Sequence, residues 1–498
     1  MTRRSDVATG VLAATTAIAT SEGLSAILNL RESPVLAVGQ TVIKLTPGPI
    51  AEKIISVVQH ADKPLAVTSV VIAILLLGGL IGAWWQHRRV LAVLGIAALV
   101  GLASAAVLGR PHGSGKGVVV CIIAGAVVAG VLELLQRERP DLEPGMARRT
   151  FLRTAAVIVV ATAAVGGASE ALASRRRRRA ALERVRADLQ LPTAKVSAPS
   201  GVDLGVKGQG PWLTPNDDFY RIDTALSPPL IDPADWKLRI HGMVDKELTL
   251  TYQDLIDRGL EDHWITLCCV SNEVGGDLIG NTVWGGVPIK GILEEVGIQD
   301  GADALLSTSD DGWTCGTPLA ALTDGRDAIL ALSMNGEPLP IAHGFPVRQV
   351  VPGLYGYVSG TKWVTEWEVT RFADFKAYWT RNGWSERGPI KTEARIDVPR
   401  GNVQAGTVTV AGVAWQQHTG IERVEVRIDG GEWQKATLAK VPSVDTWVQW
   451  SWQWPADKGD HTIEARATNR KGEPQTAARA DVLPDGATGY PGIQVSVT

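Results

Sequence analysis

The chain has 498 residues and a net charge of −3, which is too long for one ordinary domain and gives no global field suited to nucleic acid. Its near-neutral mean hydropathy hides two contrasting parts. Residues 1–174 are rich in Ala, Val, Leu, Ile and Gly, whereas residues 200–498 read as a water-soluble protein rich in Trp, Asp and Pro.

In chain order, the first part holds five long apolar runs: Val7–Leu30, Pro64–Trp85, Val90–Gly109, Gly117–Leu135 and Ala155–Ala173. Each is near the ~20 residues that cross a hydrocarbon layer as a helix. This predicts a multi-pass bundle of about five spans over residues 1–174. Residues 41–59, with prolines and scattered charges, suit an amphipathic or re-entrant element. Arginines at 3, 4, 88, 89, 137, 139, 148, 149 and 153 fall in the segments that an odd number of spans would leave in the cytoplasm. The C-terminal part is then expected outside, at the cell membrane, although the run Arg175–Arg179 opposes that orientation. Arg148 and Arg149, followed by Phe151, Leu152, Arg153 and a mildly apolar stretch, are similar to a twin-arginine export signal, which is an address and not a fold element.

Residues 175–210 read as a linker, charged at first and then rich in Gly, Pro and Ser. Between 211 and 391, short β-like runs such as WKLRIHGMV, HWITLCCV and WVTEWEVTRF alternate with turns and short helices, an α+β pattern. Residues 392–498 alternate apolar and polar positions with turns about every ten, and Asp429-Gly430 is a hairpin signal. That region predicts an immunoglobulin-like β-sandwich.

Chemistry concentrates around Cys268 and Cys269. In a strand, neighbouring side chains face opposite ways, so one cysteine packs and the other points at whatever the following polar, glycine-rich turn surrounds. Neither belongs to a CxxC, CxxCH or Cys/His spacing, which leaves zinc and c-type haem without support. A lone thiolate suits a soft, high-valent metal centre whose other ligands come from a cofactor. Two ordinary buried cysteines remain the alternative at this point.

The region from Trp212 to Asp481 resembles the sulfite-oxidase family of molybdenum enzymes. The resemblance is carried by CVSN (Cys269–Asn272), by GNTVWGGVPIKGIL (Gly280–Leu293) and most strongly by MNGEPLPIAHGFPVRQVVPGLYGYVSGTKW (Met334–Trp363). It implies a molybdenum–molybdopterin cofactor, with Cys269 as the thiolate ligand and Cys268 packed behind it. It places His343 and Arg348 at the pterin's phosphate and polar edge, and Gly360, Thr361 and Lys362 along the same cofactor. Asp311 and Arg221 are further cofactor contacts by the same likeness. The C-terminal region looks like the family's dimerisation domain, which implies a homodimer.

Two departures bear on substrate. Sulfite oxidases follow the metal cysteine with Asn-Arg-Arg, whereas this chain has Asn272-Glu273-Val274. The family's metal-side tyrosine falls on Trp384, which becomes the candidate catalytic residue at the mouth and has no hydroxyl to donate. The expectation is a membrane-anchored oxygen-atom-transfer oxidoreductase acting on a small molecule other than sulfite, with a separate electron-transfer partner at the membrane. His60, His87 and His112 lie at span ends or loops, so no haem is expected within the bundle. Two other classes compete: a non-catalytic membrane-anchored binding protein that keeps the fold, and a transporter. The binder would hold no molybdenum, and no intramembrane charge pair or broken-helix repeat favours the transporter.

Overall fold

The structure, a computed structural model, describes residues 3–50, 62–136, 156, 167–192 and 197–498. The twin-arginine segment and most of the expected fifth span lie outside the described residues. The chain forms two compact units, residues 1–184 with 224–227, and residues 185–223 with 228–498.

The first unit is helical. Helices α1 (Arg3–Ile27), α2 (Pro34–Leu45), α3 (Asp62–Trp85), α4 (Arg89–Leu108), α5 (Gly115–Gln136) and α6 (Gly167–Asp188) follow in order. Four stretches within them, Asp6–Ile27, Lys63–Trp85, Arg89–Leu108 and Gly115–Gln136, are long and apolar enough to cross a membrane. The run expected to be re-entrant begins as α2, capped at its start by the Ser33 hydroxyl, which accepts from the Leu36 amide. Helices α1 and α3 touch backbone to backbone. A Cβ on Gly10 would lie 2.1 Å from the Gly78 carbonyl oxygen and 2.9 Å from the Gly82 Cα, so only glycine fits. The polar link at one end is Gln136, which donates to the Gly82 carbonyl at 3.0 Å.

This packing makes a prediction. Gly10→Ala forces the helices apart and costs about 1–3 kcal/mol, as overpacking of a tight interface does. Gly101→Ala, where nothing lies within 4 Å of the added carbon, serves as the control. Thermal unfolding in detergent should show a lower midpoint for the first and not for the second. Equal midpoints would remove the tight contact from the account.

The second unit is built from strands. A mixed sheet runs β2 (Leu248–Thr251), β1 (Lys237–Gly242), β10 (Val364–Thr370), β5 (Ala304–Ser309), β6 (Thr314–Pro318), with β1 and β10 parallel. After β2 a capping box between Thr251 and Asp254 starts the short helix α7 (Tyr252–Asp257). A second sheet runs β3 (Glu261–Cys268), β4 (Ile279–Pro288), β7 (Ile329–Met334), β8 (Glu337–Pro338), and β9 (Arg348–Val350) also pairs with β7. Strands β4 and β7 are buried almost throughout, and the buried Asn281 of β4 accepts from the Thr266 hydroxyl of β3 at 2.8 Å.

The C-terminal region holds two four-stranded sheets. One runs β11 (Glu393–Val398), β12 (Gly406–Trp415), β16 (Val448–Ala456), β15 (Thr437–Leu438). The other runs β14 (Gln434–Lys435), β13 (Ile421–Ile428), β17 (Gly459–Asn469), β18 (Gly492–Val497). Inward residues of both, including Val410, Trp450, Val424 and Ile463, bury one shared core. The Asp429-Gly430 turn forms between β13 and β14, both residues at positive φ, as the sequence signal requires.

Candidate active site

Strand β3 ends at Cys268 and the chain turns before returning as β4. The turn is closed by Asn272. Its amide donates to the Cys269 carbonyl at 3.1 Å, and its side-chain oxygen accepts from the Leu278 amide at 2.8 Å. Cys269 sits at the first position of this corner, its own amide donating to the Leu278 carbonyl. Cys268 is wholly buried, whereas Cys269 is 8 % exposed. The Cys268 thiol donates weakly to the Cys269 carbonyl at 3.4 Å. Burial holds its pKa well above the ordinary thiol range, and the nearby Glu393 carboxyl adds to this.

Three basic side chains and one histidine gather on the neighbouring segments. Arg348 opens β9 and is buried. Its Nη1 donates to the His343 carbonyl at 3.1 Å, and its guanidinium lies 4.9 Å from the Trp284 ring centre. Its Nε has no hydrogen-bond partner. Burial lowers its pKa to about 10, so it stays charged at neutral pH. Gly344 makes this placement possible: it has φ +116, and a Cβ there would stand 2.9 Å from the Arg348 Cβ.

Lys362 donates to Asp223 at 2.9 Å and to the Ala342 carbonyl at 3.2 Å. Burial lowers its pKa to about 8, against the opposing pull of Asp223. His343 ends a short 3-10 turn and is buried, its Nδ1 unpaired. Burial, followed by the charges of Lys362, Arg348 and Arg221, lowers its pKa to about 3, so the ring is neutral. Arg221 is 37 % exposed along its side chain and reaches the cluster through Asp223, at 3.1 Å.

Of the remaining predicted positions, Gly360, Thr361 and Asp311 adjoin the segments that carry this group, whereas Trp384 packs among other aromatic rings. Gly360 lies over Arg348, where an added Cβ would be 3.4 Å from Nη2, and the Thr361 carbonyl accepts from the Gln349 amide at 2.8 Å. Asp311 shapes the β5–β6 turn, accepting from the Trp313 amide at 3.0 Å, and the adjacent Asp310 amide donates to the Trp363 carbonyl at 2.8 Å. Trp384 is 4 % exposed and packs 6.0 Å from the Tyr357 ring and 6.3 Å from the Trp379 ring. Glu273 stands exposed in the turn after Cys269.

Sequence reasoning missed Tyr220 and Asp223, although both lie in the run DFYRIDTAL in which Arg221 was picked out. Tyr220 lies where it feels the charges of Cys269, Cys268 and Arg348. Asp223 is the counter-ion that holds Lys362 and Arg221 together. An acidic residue beside two cations carries no distinct sequence signal, because its partner Lys362 is 139 positions away.

The donor set suits an anionic cofactor joined to a soft metal. Three cations face one carboxylate, and a buried guanidinium N–H without a partner is costly unless a ligand accepts from it. A planar guanidinium matches phosphate oxygens, and the thiol of Cys269 suits the metal. The family model described as oxidoreductase molybdopterin binding domain matches residues 225–379. The uncharacterized oxidoreductase YuiH of Bacillus subtilis (strain 168) is 32% identical over 157 residues, which is 32% of this chain and 76% of that protein. The chain belongs to the sulfite-oxidase family of molybdopterin oxidoreductases. It is an enzyme of that family.

Mitochondrial sulfite oxidase of Drosophila melanogaster is 29% identical over 321 residues, 52% of this chain and 54% of that protein. The human mitochondrial sulfite oxidase is 28% identical over 290 residues, 49% and 52% of the two chains. The chain thus spans about half the length of these sulfite oxidases. The sulfane dehydrogenase SoxCD of Paracoccus pantotrophus shares the fold, with a TM-score of 0.51 at 22% identity over 62% of this chain and 87% of that one.

Proposed function

We propose that this member of the sulfite-oxidase family is a membrane-anchored molybdenum enzyme that performs two-electron oxygen-atom transfer outside the cytoplasm, on a substrate other than sulfite. The observation that carries the cofactor half of the reading is the buried, unpaired Nε of Arg348 among Lys362, Arg221 and neutral His343. In this reading Cys269 holds the metal, while Arg348 and Lys362 hold the cofactor's phosphate. His343, neutral and with a free ring nitrogen, bonds the pterin's polar edge without adding charge. Gly360 and Thr361 line the cofactor, Asp311 fixes the adjoining turn, and Arg221 is steered by Asp223. The molybdenum cofactor supplies the two-electron redox chemistry when bound; the chain supplies ligand, orientation and electrostatics.

The substrate half rests on charge. In this reading the buried cations Arg348 and Lys362 serve the cofactor, and the turn after Cys269 carries an exposed Glu273 where sulfite oxidases have arginine. Trp384 and its aromatic neighbours favour a larger, less charged molecule such as an organic sulfoxide. The apolar helices serve as the anchor, with the arginine pattern and the twin-arginine-like segment supporting the outward orientation. The two C-terminal sheets read as an immunoglobulin-like sandwich suited to a homodimer, and electrons pass to or from a separate protein partner at the membrane.

The test is to purify the full chain in detergent, measure molybdenum, and assay both substrates. One molybdenum per chain is expected, with methyl phenyl sulfoxide reduced by a low-potential dye. Sulfite oxidation with an artificial acceptor should be slower by about two powers of ten or more, equivalent to roughly 3 kcal/mol. Sulfite turnover at micromolar half-saturation would overturn the substrate assignment, and a molybdenum-free protein would overturn the whole reading.

A further inference from the structure

The side chains assigned so far are given to the cofactor, and none of them is a tyrosine able to stand in for the one that Trp384 replaces. Trp384 has no hydroxyl and lies within an aromatic cluster. Tyr220 is differently placed. The ring before it, Phe219, is clamped edge-on by Trp284 at 5.7 Å and by His343 at 5.8 Å, and it lies so close to Gly280 that a Cβ there would stand 2.6 Å away. Tyr220 stacks on that fixed ring at 5.2 Å.

Its phenol is thereby directed at the corner carrying the cysteines. A carbon added to Gly356 would lie 3.8 Å from both the Tyr220 Oη and the Cys268 carbonyl. The hydroxyl makes no hydrogen bond among the described residues, whereas that of Tyr357 donates to the Ser385 carbonyl at 2.7 Å. Tyr220 is only partly exposed, and its hydroxyl, engaged by no neighbouring side chain, is available to donate to a ligand. A phenol ordinarily titrates at about 10, so it carries its proton and can donate at neutral pH.

We propose that Tyr220 is the hydrogen-bond donor that orients the substrate's oxygen atom on the metal side of Cys269. The inference rests on the oxygen-atom-transfer reading above. It makes Tyr220 specificity-determining: a donor in that position favours neutral S=O or N=O groups, which accept without bringing charge into a site beside Glu273.

The test compares the full-length holoenzyme with Tyr220→Phe. Molybdenum content is measured first. The half-reduced metal is then examined by electron paramagnetic resonance in H2O and in D2O, which reports an exchangeable proton beside it without any substrate. The expected result is full molybdenum, loss of one exchangeable-proton coupling, and a fall in kcat for methyl phenyl sulfoxide of about 100-fold with KM within about threefold. Persistence of the same coupling in Tyr220→Phe overturns the proposal. If the parent enzyme turns over no sulfoxide, only the substrate reading fails, because the proton comparison still decides the place of Tyr220. Should Tyr220→Phe lose the metal, 3-fluorotyrosine at position 220 keeps the ring and its hydroxyl. A fluorine coupling to the half-reduced metal then supports the placement, and its absence overturns it.

Discussion

Cys269→Ser should abolish turnover while Cys268→Ser leaves it largely intact. The two thiols are neighbours in sequence, yet their surroundings differ. Cys268 is wholly buried in the last position of β3, its thiol turned back on the Cys269 carbonyl at 3.4 Å. Serine there exchanges a weakly polar sulfur for a hydroxyl that must find a strong partner, a stability cost of about 1–3 kcal/mol. Cys269 stands past the strand, at the corner facing Tyr220. A serine oxygen is a hard and much less acidic ligand, poorly matched to the soft centre that a thiolate serves. Loss of that ligand should lower kcat by about 1000-fold or more, roughly 4 kcal/mol in the barrier, and should change the visible absorption of the metal. Turnover with a low-potential dye, molybdenum content and thermal midpoint are the three measurements. Equal loss of turnover in both variants, or loss in Cys268→Ser alone, would show that the wrong thiol has been assigned to the metal.

Arg348→Leu should empty the site of its cofactor. The guanidinium is buried, rests against Trp284, and keeps one N–H without a partner inside the protein. Leucine removes both the charge and the fork that fits phosphate. Truncating one member of a buried, hydrogen-bonded charge pair costs about 2–5 kcal/mol, or roughly 30- to 5000-fold in affinity. Molybdenum and pterin content should therefore fall to about a tenth of the parent or less. Arg348→Lys should fall between the two, because lysine keeps the charge but loses the fork. A leucine variant with full cofactor would mean that Lys362 and Arg221 suffice and that Arg348 only packs on Trp284.

Much of this was legible in the chain because local patterns report local physics. Apolar runs near the length of a bilayer gave helices that can span one, and alternation with a hairpin signal at Asp429-Gly430 gave the C-terminal sheets. The family was readable from Met334–Trp363, a run whose glycines and cations are held in place by backbone geometry, as at Gly344. That run places His343, Arg348 and Lys362 close together in sequence, so their meeting in space is unsurprising.

The sequence by itself therefore determined the kinds of element, the family and the short-range cations of the site. What only the tertiary structure decided is how distant segments complete it. Asp223 reaches Lys362 across 139 positions, and the Tyr220 phenol arrives beside the Cys268–Cys269 corner because Phe219 is wedged against Gly280, Trp284 and His343. The pKa of His343 near 3 belongs to the same class, since it depends on burial and on three cations converging from separate segments. Pair energies of that sort depend on distance and desolvation, and neither quantity exists until the chain has closed around the site.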